Sequence, residues 1–469
     1  MLPLIEERSA ALHVIACTSG AHELQGSDGC HPAAATVLGA VIDAPQECTR
    51  LSARCIDIDP QWSASDHGVL DRLIIELWQV AAPDLLALRQ HRRFVRRFQP
   101  QRLADATLQL KPERAYLITG GFGGIGLSLA QELVANGARQ LILSSRSPLP
   151  PREQWSQVAD ERVQLRIAAV RNLEAAGASV QVLSADIADR EAMAAALQQC
   201  DPAFPISGII HAAGAPSDGQ LLRDKDPAAL TAVFGPKFFG TEVLADLIDW
   251  QQLDFVVMMS SLASFLPILG QSDYAAANAY QDAMAHAAAA RGVRCLSINW
   301  YAWRDVGMAM NHEMIQQRDD DSQLADWILP AEGRAAFRRA LAANTPQLAI
   351  CTRPLAAVER QFAQVVADLH RSAVVSDAND KIAPQGDIEL AIAAVWRELF
   401  DCDAIGRDDD FYALGGHSLM ATQVAARLMA RSQLEVPVRD ILAHPRLRDL
   451  AMRIETVQAD VCERDEVEL

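Results

Sequence analysis

The sequence lacks the features that would tie it to a membrane, a metal ion or a nucleic acid. Its N-terminus has no basic stretch leading into an apolar core, and no apolar run is long enough to span a bilayer. Its nine cysteines form no CxxC pair and no His-rich cluster accompanies them, so neither a disulfide framework nor a zinc site is indicated. Positive charge is scarce: 42 Lys and Arg face 60 Asp and Glu, and a net charge of −18 argues against nucleic acid and anionic membranes. We therefore expect a cytoplasmic protein with reduced cysteines and no metal.

The pattern of strands indicates an α/β fold. A chain of 469 residues exceeds what one hydrophobic core organises, so two or more units are expected. From residue 113 short β-branched runs alternate with Ala-rich stretches, as in βαβ units around a parallel sheet. Such a doubly wound Rossmann-type sheet binds ligands beyond the carboxyl ends of its strands. The predicted strands are AYLIT (115–119), QLILSS (140–145), SVQVLSA (179–185), SGIIHAA (207–213), FVVMMSS (255–261) and RCLSINW (294–300), followed by a last apolar strand, LAICT.

Composition divides the chain into five parts. Residues 1–110 hold three runs that fit strands or short helices of a smaller α/β unit without a phosphate loop: LHVIACTS, TVLGAVIDA and SARCIDID. Residues 111–365 form the Rossmann-type unit, and the polar, aperiodic residues 366–386 are typical of a flexible linker. Residues 387–457 have apolar spacings of three and four, which predict a small all-α bundle of four helices. The acidic residues 458–469 are too polar to bury.

A glycine-rich stretch, TGGFGGIG, lies between the first strong strand and an Ala-rich helix. Glycines permit a tight turn and let a pyrophosphate approach backbone N–H groups at a helix N-terminus, where the helix dipole favours negative charge. A mere turn between strand and helix would need only one or two glycines. The stretch therefore predicts a dinucleotide site, with these cofactor-binding candidates: Thr119, Gly120, Gly121, Phe122, Gly123, Gly124, Ile125 and Gly126.

Three later strand ends complete the predicted cofactor site. Ser145 closes the second strand and Arg146 follows it, with no acidic residue to hold a free ribose 2′-hydroxyl, so a 2′-phosphate and NADPH are favoured. After the third strand, Asp186, beside Ile187, fits an acceptor for the adenine amino group or, equally, a helix N-cap. Small residues at the end of the fourth strand leave room for ribose and nicotinamide: His211, Ala212, Ala213 and Gly214.

Four polar residues have the spacing of a reductase site. Ser261 closes the fifth strand, Tyr274 follows thirteen residues later, Asn278 lies four beyond Tyr274, and Lys237 precedes Ser261 by twenty-four. With the glycine loop, this set resembles the short-chain dehydrogenase/reductase superfamily. It resembles more narrowly the ketoreductase domains of modular polyketide synthases, in which lysine and asparagine have exchanged places. The resemblance covers residues 1 to about 355, including a cofactor-free structural subdomain upstream.

The chemistry accounts for these residue types. Hydride transfer to a ketone leaves charge on oxygen, which needs a hydrogen-bond donor and then a proton. Tyr274 is expected to supply both, and a Lys237 ammonium would lower the pKa of its phenol from near 10. Ser261 would orient the carbonyl, and Asn278 would bridge lysine to a proton-relaying water. Taken singly, each residue also has a simpler interpretation. Tyr274 fits a core aromatic and Ser261 fits a strand end. Asn278 fits a polar residue of a helix, and Lys237 fits a solvated charge.

The resemblance also implies a stereochemical class. One class of ketoreductase carries an LDD motif after the fourth strand; the matching residues are Pro216, Ser217 and Asp218, and only Asp218 agrees. The opposite class has a tryptophan eight residues before the tyrosine, where this chain has Leu266. We therefore expect a D-configured 3-hydroxyacyl product. Tyr301 and Ala302 also depart from the family, which usually has Gly and Pro there.

The segment DDFYALGGHSLMATQ resembles the 4′-phosphopantetheine attachment site of carrier domains, with Ser418 as the attachment residue. The resemblance extends over the bundle, and its GGHSL form is closer to peptidyl than to acyl carriers. It implies modification by a phosphopantetheinyl transferase. A simple serine helix cap is the plainer alternative. A hydrolase nucleophile is rejected, because GxSxG and acid and histidine partners are absent.

The resemblances together predict NADPH-dependent reduction of a carrier-bound 3-ketoacyl thioester, supplied by upstream polyketide synthase modules and passed to a downstream condensation or ketosynthase enzyme. The tail, with Val467 and Leu469 alternating with acids, resembles motifs that add to a β-hairpin docking domain, or it is only a solvated end. Two other functions stay open: reduction of an α-ketoacyl thioester in a nonribosomal peptide synthetase, and a reductase-inactive carrier scaffold.

Overall fold

The structure is a computed structural model of the chain. It describes residues 12–24, 29–48, 51–62, 67–79, 85–90, 92–307, 326–364, 382–400, 405–412, 414, 418–432, 434 and 436–465. These residues fall into two compact units, one ending at Val358 and the next beginning at Glu359. Most of the predicted linker, 366–386, lies outside the described residues. Among the described helices, none has the length and apolar character that a membrane crossing needs.

The first unit begins with a small sheet. Its strands, β1 (Leu12–Ser19), β2 (Leu51–Ile58), β3 (Leu85–Arg89) and β4 (Arg92–Val95), lie in that order, and only β4 is antiparallel to its neighbour. Helices α1 (Val37–Glu47) and α2 (His67–Trp78) connect the parallel strands. Of the three runs left open by the sequence, TVLGAVIDA is therefore mostly helical and the other two are strands.

A seven-stranded parallel sheet forms the rest of this unit. Its strands are β5 (Ala115–Thr119), β6 (Gln140–Ser145), β7 (Ser179–Ser184), β8 (Ile206–His211), β9 (Phe255–Ser261), β10 (Cys295–Trp300) and β11 (Gln347–Ile350). Their order is β11, β10, β9, β8, β5, β6, β7. The six predicted strands and the last apolar one are confirmed to within two residues at each end. Because the order reverses beside β5, the ligand crevice of such a sheet lies between the ends of β5 and β8.

Helices cover both faces of this sheet: α3 (Gly124–Ala135), α4 (Glu161–Ala175), α5 (Arg190–Leu197), α6 (Pro227–Phe234), α7 (Gly240–Leu247), α8 (Ser272–Ala290) and α9 (Pro330–Ala342). Asp160, Asp189 and Asp226 cap α4, α5 and α6 by accepting from backbone N–H groups. Alternate residues of β5 enter opposite cores, Ile118 on one face and Leu117 on the other. This two-sided burial explains the continuous apolar runs of the strands.

Helix α1 of the small sheet packs directly against α8 of the large one. At Gly39, a Cβ atom would lie only 2.0 Å from the carbonyl oxygen of Ser272. Glycine is therefore required where the two helices meet. Since Ser272 is the first residue of α8, this contact fixes the end of the helix that carries Tyr274.

The second unit is a small bundle of helices, as predicted. Its helices are α10 (Gly386–Phe400), α11 (Ser418–Ser432), α12 (Val438–Ala443) and α13 (Leu447–Asp465). The helical residues 355–364 span the boundary between the two units. The core contains Trp396 and Phe411, both fully buried, with ring centroids 5.6 Å apart. Helix α13 continues through Asp465, so residues 458–465 extend the last helix. The tail's Val467 and Leu469 lie outside the described residues.

Candidate active site and carrier serine

Tyr274 lies in the first turn of α8, beside the end of β9. Burial raises the pKa of its phenol, and the side chains of Asn278 and Ser261 lie close enough to the phenol to oppose that effect. Asn278 is buried one turn later, and its Nδ2 also donates to the Tyr274 carbonyl oxygen at 2.7 Å. Ser261 additionally accepts from Ala263 N at 3.2 Å, so it caps a short helical turn as well as facing the tyrosine. The structure thus brings together three of the four predicted residues.

Lys237 reaches the same place from a π-helical turn, Gly235–Phe239, between α6 and α7. Its side chain is buried, and Nζ donates to the Met259 carbonyl oxygen at 2.6 Å and to Gln281 Oε1 at 3.0 Å. Nζ lies 5.6 Å from the centroid of the Tyr274 ring. All four predicted residues therefore converge at the carboxyl end of β9.

Burial sets the acidity of both groups. Desolvation lowers the pKa of Lys237 to about 7, against a weaker raising effect of Asp282. Desolvation also raises the pKa of Tyr274, and its hydrogen bonds with Asn278 and Ser261 oppose that rise. A lysine with a pKa of about 7 is about half charged at neutral pH. The amine therefore titrates near neutral pH, and its charged form is the ammonium expected from the sequence beside Tyr274.

Two buried neighbours on α8 were missed by the sequence analysis. Gln281 accepts from Lys237, while its Nε2 and the Oδ1 of Asn278 have no partner among the described residues. Asp282 accepts hydrogen bonds from three side chains, and burial raises its pKa. Its donors are Ser264 at 2.6 Å, Ser297 at 2.5 Å and Asn299 at 2.7 Å. The missed signal was helical periodicity: Gln281 lies seven residues after Tyr274, on the same helix face.

The glycine loop forms a cradle at the N-terminus of α3. Gly120 has a φ of +61°, and a Cβ there would lie 2.8 Å from the Ala212 carbonyl oxygen. At Gly126 a Cβ would lie 2.6 Å from the Gly120 carbonyl oxygen. The backbone can approach this closely only without side chains. A ligand phosphate can therefore meet bare N–H groups at a helix start.

The ends of β5 and β8 are tied together beside this loop. Thr119 Oγ1 lies 2.6 Å from His211 Nδ1 and accepts from Ala213 N at 3.2 Å. Burial, and secondly Lys237, lower the pKa of His211 to about 3, so this imidazole is neutral. The predicted stretch from His211 to Gly214 thus borders the glycine loop, as a cofactor site requires.

Two stretches of the chain match known domain families. Residues 114–305 match the KR domain, and residues 391–454 match the phosphopantetheine attachment site. The chain carries a KR domain and a phosphopantetheine attachment site. KR domains bind NADPH, and phosphopantetheine attachment sites carry 4′-phosphopantetheine. The glycine cradle of this KR domain, which a Cβ atom would fill, fits a pyrophosphate.

Similar sequences come from larger polyketide synthases. The chain is 33% identical over 353 residues to a phenolphthiocerol/phthiocerol polyketide synthase of Mycobacterium tuberculosis, covering 74% of this chain and 19% of that protein. It is 33% identical over 362 residues to 5-methyl-1-naphthoate synthase of Streptomyces sahachiroi, covering 73% and 20%. The chain thus spans about a fifth of the length of these curated relatives.

Solved structures agree with the sequence relatives. An A1-type ketoreductase superposes with a TM-score of 0.64 at 26% identity, covering 75% of this chain and 70% of that chain. The first ketoreductase of the tylosin polyketide synthase superposes with a TM-score of 0.61 at 26% identity, covering 76% and 72%. Both matches cover far more of the chain than the residues of the KR domain match alone.

At the ends of β6 and β7, the structure corrects one alternative, the helix-cap role of Asp186. Asp189, not Asp186, caps α5; Asp186 instead accepts from Ala188 N at 3.0 Å in the turn before it. The side chain of Ile187 is buried against Gly240. Arg146 is exposed, and Ser145 accepts from Arg166 Nη2 at 2.6 Å. Arg166 was not among the predicted residues.

The predicted stereocontrol residue of the KR domain takes part in an ion-pair cluster. The buried Lys225 donates to Asp218 Oδ1 at 2.8 Å and to Ser217 Oγ at 2.7 Å. It also donates to the Gly270 carbonyl oxygen at 2.9 Å and lies 3.1 Å from a carboxylate oxygen of Asp273, the residue before Tyr274. Lys225 thus joins the loop after β8 to the loop that precedes α8. Leu266, in the second loop, is buried.

In the phosphopantetheine attachment domain, Ser418 is the first residue of α11. The glycines and histidine before it lie outside the described residues. The backbone position agrees with the attachment role that the sequence predicts.

Proposed function

We propose that this chain reduces a 3-ketoacyl thioester, tethered to its own carrier domain, to a 3-hydroxyacyl thioester with NADPH. The single observation that carries the proposal is the convergence of Tyr274, Ser261, Asn278 and Lys237 beside the glycine loop. The polyketide synthase relatives support this substrate class. The setting is a polyketide or hybrid polyketide/nonribosomal peptide assembly line.

The glycine loop would hold the pyrophosphate of NADPH, and the residues from His211 to Gly214 would border its ribose and nicotinamide. When bound, NADPH supplies a hydride to the carbonyl carbon. Ser145 and Arg146 would hold the ribose 2′-phosphate, because an arginine pairs with phosphate where no carboxylate holds a free hydroxyl. Asp186 lies at the adjacent strand end, where its carboxylate would accept from the adenine amino group.

Residues of the chain then stabilise the negative charge that develops on the substrate oxygen and supply the proton. Ser261 and Tyr274 donate hydrogen bonds to the substrate carbonyl oxygen, which stabilises the negative charge that develops there. Tyr274 gives up its phenolic proton to that oxygen. Lys237 in its charged form stabilises the resulting phenolate. Asn278, whose Oδ1 has no partner among the described residues, accepts from a water that returns the proton.

Ser418 would carry the substrate. A phosphopantetheinyl transferase attaches the arm through the serine hydroxyl, and the acyl chain forms a thioester at the end of the arm. Tethering raises the effective concentration of the ketone at the KR domain without any new contact between domains. The same arm then presents the product to a downstream condensation or ketosynthase enzyme, and the acidic C-terminal end is proposed to dock to that enzyme.

We propose a D-configured alcohol. Asp218 agrees with the family motif for that outcome, and Leu266 stands in place of the tryptophan of the opposite class. The Lys225 cluster supports a role for Asp218 in holding the loop beside Tyr274. Chiral analysis of the released hydroxy acid tests this, and an L-configured product would refute it.

Intact mass spectrometry tests the reductase and the carrier together. The full chain is incubated with a phosphopantetheinyl transferase and a 3-ketoacyl donor, then with NADPH. We expect a phosphopantetheine adduct, an acyl adduct, and then a gain of two hydrogens. Ser418→Ala should abolish the adducts, and Tyr274→Phe should abolish only the last step. A 2-ketoacyl donor serves as the competing substrate, and faster reduction of it would replace the proposed substrate class.

A further inference from the structure

Arg166 connects the two segments that border the adenosine end of the KR domain. It lies on α4, and its Nη2 donates to Ser145 Oγ at 2.6 Å and to the Ser147 carbonyl oxygen at 2.7 Å. Its guanidinium carbon stands 4.3 Å from the centroid of the Phe122 ring, in the glycine loop. The guanidinium is thus held between the glycine loop and the end of β6, where a Rossmann-type sheet places the adenosine ribose.

The charge of Arg166 has no anionic partner within the described part of the chain. Arg152 offers a contrast in the same region, because it pairs with Glu174 at 2.6 Å. Burial lowers the pKa of Arg166, whereas the hydrogen bond with Glu174 raises that of Arg152. Burying a charged guanidinium costs solvation free energy, which a paired anion normally offsets. Among the described residues, no anion offsets this cost for Arg166.

The hydrogen bonds that Arg166 makes to Ser145 and Ser147 both come from Nη2. Its Nη1 and Nε therefore keep charged N–H donors for an anionic ligand. The Phe122 ring at 4.3 Å and the two hydrogen bonds hold the guanidinium in place, so little rotational freedom is lost when an anion binds.

We propose that Arg166 is a second cation of the 2′-phosphate site, acting with Arg146 to make the KR domain select NADPH over NADH. This inference rests on the proposed function, because it assumes that the crevice binds a nicotinamide dinucleotide. It adds a residue from α4, twenty positions after Arg146, the residue for which the sequence predicts phosphate recognition.

Equilibrium titration of the full chain with NADPH and with NADH tests the assignment. Charged hydrogen bonds predict that Arg166→Gln weakens NADPH binding by about tenfold or more while leaving the NADH dissociation constant within about twofold. Arg166→Lys should lose less than Arg166→Gln. Arg162→Gln, on the exposed surface of the same helix, should change neither constant.

The outcomes distinguish a failure of the proposed function from a failure of the role assigned to Arg166. If the parent chain binds neither dinucleotide, the proposed function fails. If the parent prefers NADPH and Arg166→Gln keeps that preference, only the role of Arg166 is overturned. Equal losses for both dinucleotides would assign Arg166 to loop structure instead, and unchanged NADH binding by the variant serves as its folding control.

Discussion

Two sheets lie in the first unit, one wholly parallel and one with a single antiparallel strand, and the carboxyl ends of their parallel strands are used in opposite ways. In the small sheet, Asp57 and Arg89 project from the ends of β2 and β3 and form a buried ion pair at 2.6 Å. Asp57 also accepts from Thr18 Oγ1 at 2.7 Å and from Ala21 N at 2.8 Å, both at the end of β1. Side chains therefore fill the place where a ligand would enter.

The large sheet keeps the corresponding place lined by backbone and small side chains. Its first strand leads into the glycine loop, and its neighbour β8 is followed by two alanines and a glycine. The comparison shows that strand order alone does not make a binding site. What distinguishes the sheets is whether charged side chains satisfy one another at the strand ends or bare backbone is left for a ligand.

The largest expected effect is on the rate of ketone reduction when Tyr274 is changed, a residue with no equivalent role in the small sheet. Tyr274→Phe should lower ketone reduction by about 10²- to 10⁴-fold, because the variant keeps the ring and loses the proton donor. NADPH oxidation with a simple ketone measures it. Tyr116→Phe is the matched control, since the Tyr116 hydroxyl only accepts from Lys111 N at 2.7 Å. Comparable turnover in Tyr274→Phe and the parent would remove the phenol from the mechanism.

Breaking the ion pair in the small sheet should affect stability and not chemistry. Asp57→Ala leaves the buried Arg89 without its carboxylate, which should cost about 3–5 kcal/mol of unfolding free energy. Chemical denaturation measures the cost, and titration with NADPH should show an unchanged affinity in the folded variant. A selective loss of NADPH binding would mean that the small sheet contributes to the cofactor site.

The buried Lys237 of the active site should lower the free energy of unfolding. Because folding depresses its pKa from 10.5 to about 7, the unfolded chain binds more protons between these values, so stability rises with pH across this window. Lys237→Met should therefore stabilise the unit by up to about 4 kcal/mol near pH 7, and the gain should shrink toward pH 10. Lys111→Met, at an exposed ion pair, is the control. A pH-independent difference between variant and parent would contradict the assigned pKa.

The smallest expected effect compares one glycine after the first strand of each sheet. Gly20 and Gly120 both have positive φ, and a Cβ at either would meet its nearest atom at 2.8 Å. Alanine at either position should cost about 1–3 kcal/mol of stability. Only Gly120→Ala should also weaken NADPH binding. If Gly20→Ala weakens it equally, the two loops are not functionally distinct.

Much of the fold could be predicted from the sequence, because the periodicity of strands and helices is a local property of the chain. All seven strands of the large sheet were predicted, and so were the helices of the second unit. The helix at TVLGAVIDA was left open, since a short apolar run fits either structure. The glycine loop and the spacing of Tyr274 and Asn278 were readable because each belongs to one segment. Gln281 and Lys225 were missed because their roles also depend on contacts with other segments: Gln281 accepts from Lys237, and Lys225 lies 3.1 Å from a carboxylate oxygen of Asp273.

The sequence by itself determined the order of the elements, the glycine loop, and Ser418 at the start of a helix, because each depends on residues close along the chain. Only the tertiary structure decided that Lys237 is desolvated, that Asp57 and Arg89 close the small sheet, and that Arg166 stacks on Phe122. These properties arise from contacts between distant segments. Burial and charge pairing are therefore set by packing, which local patterns do not specify.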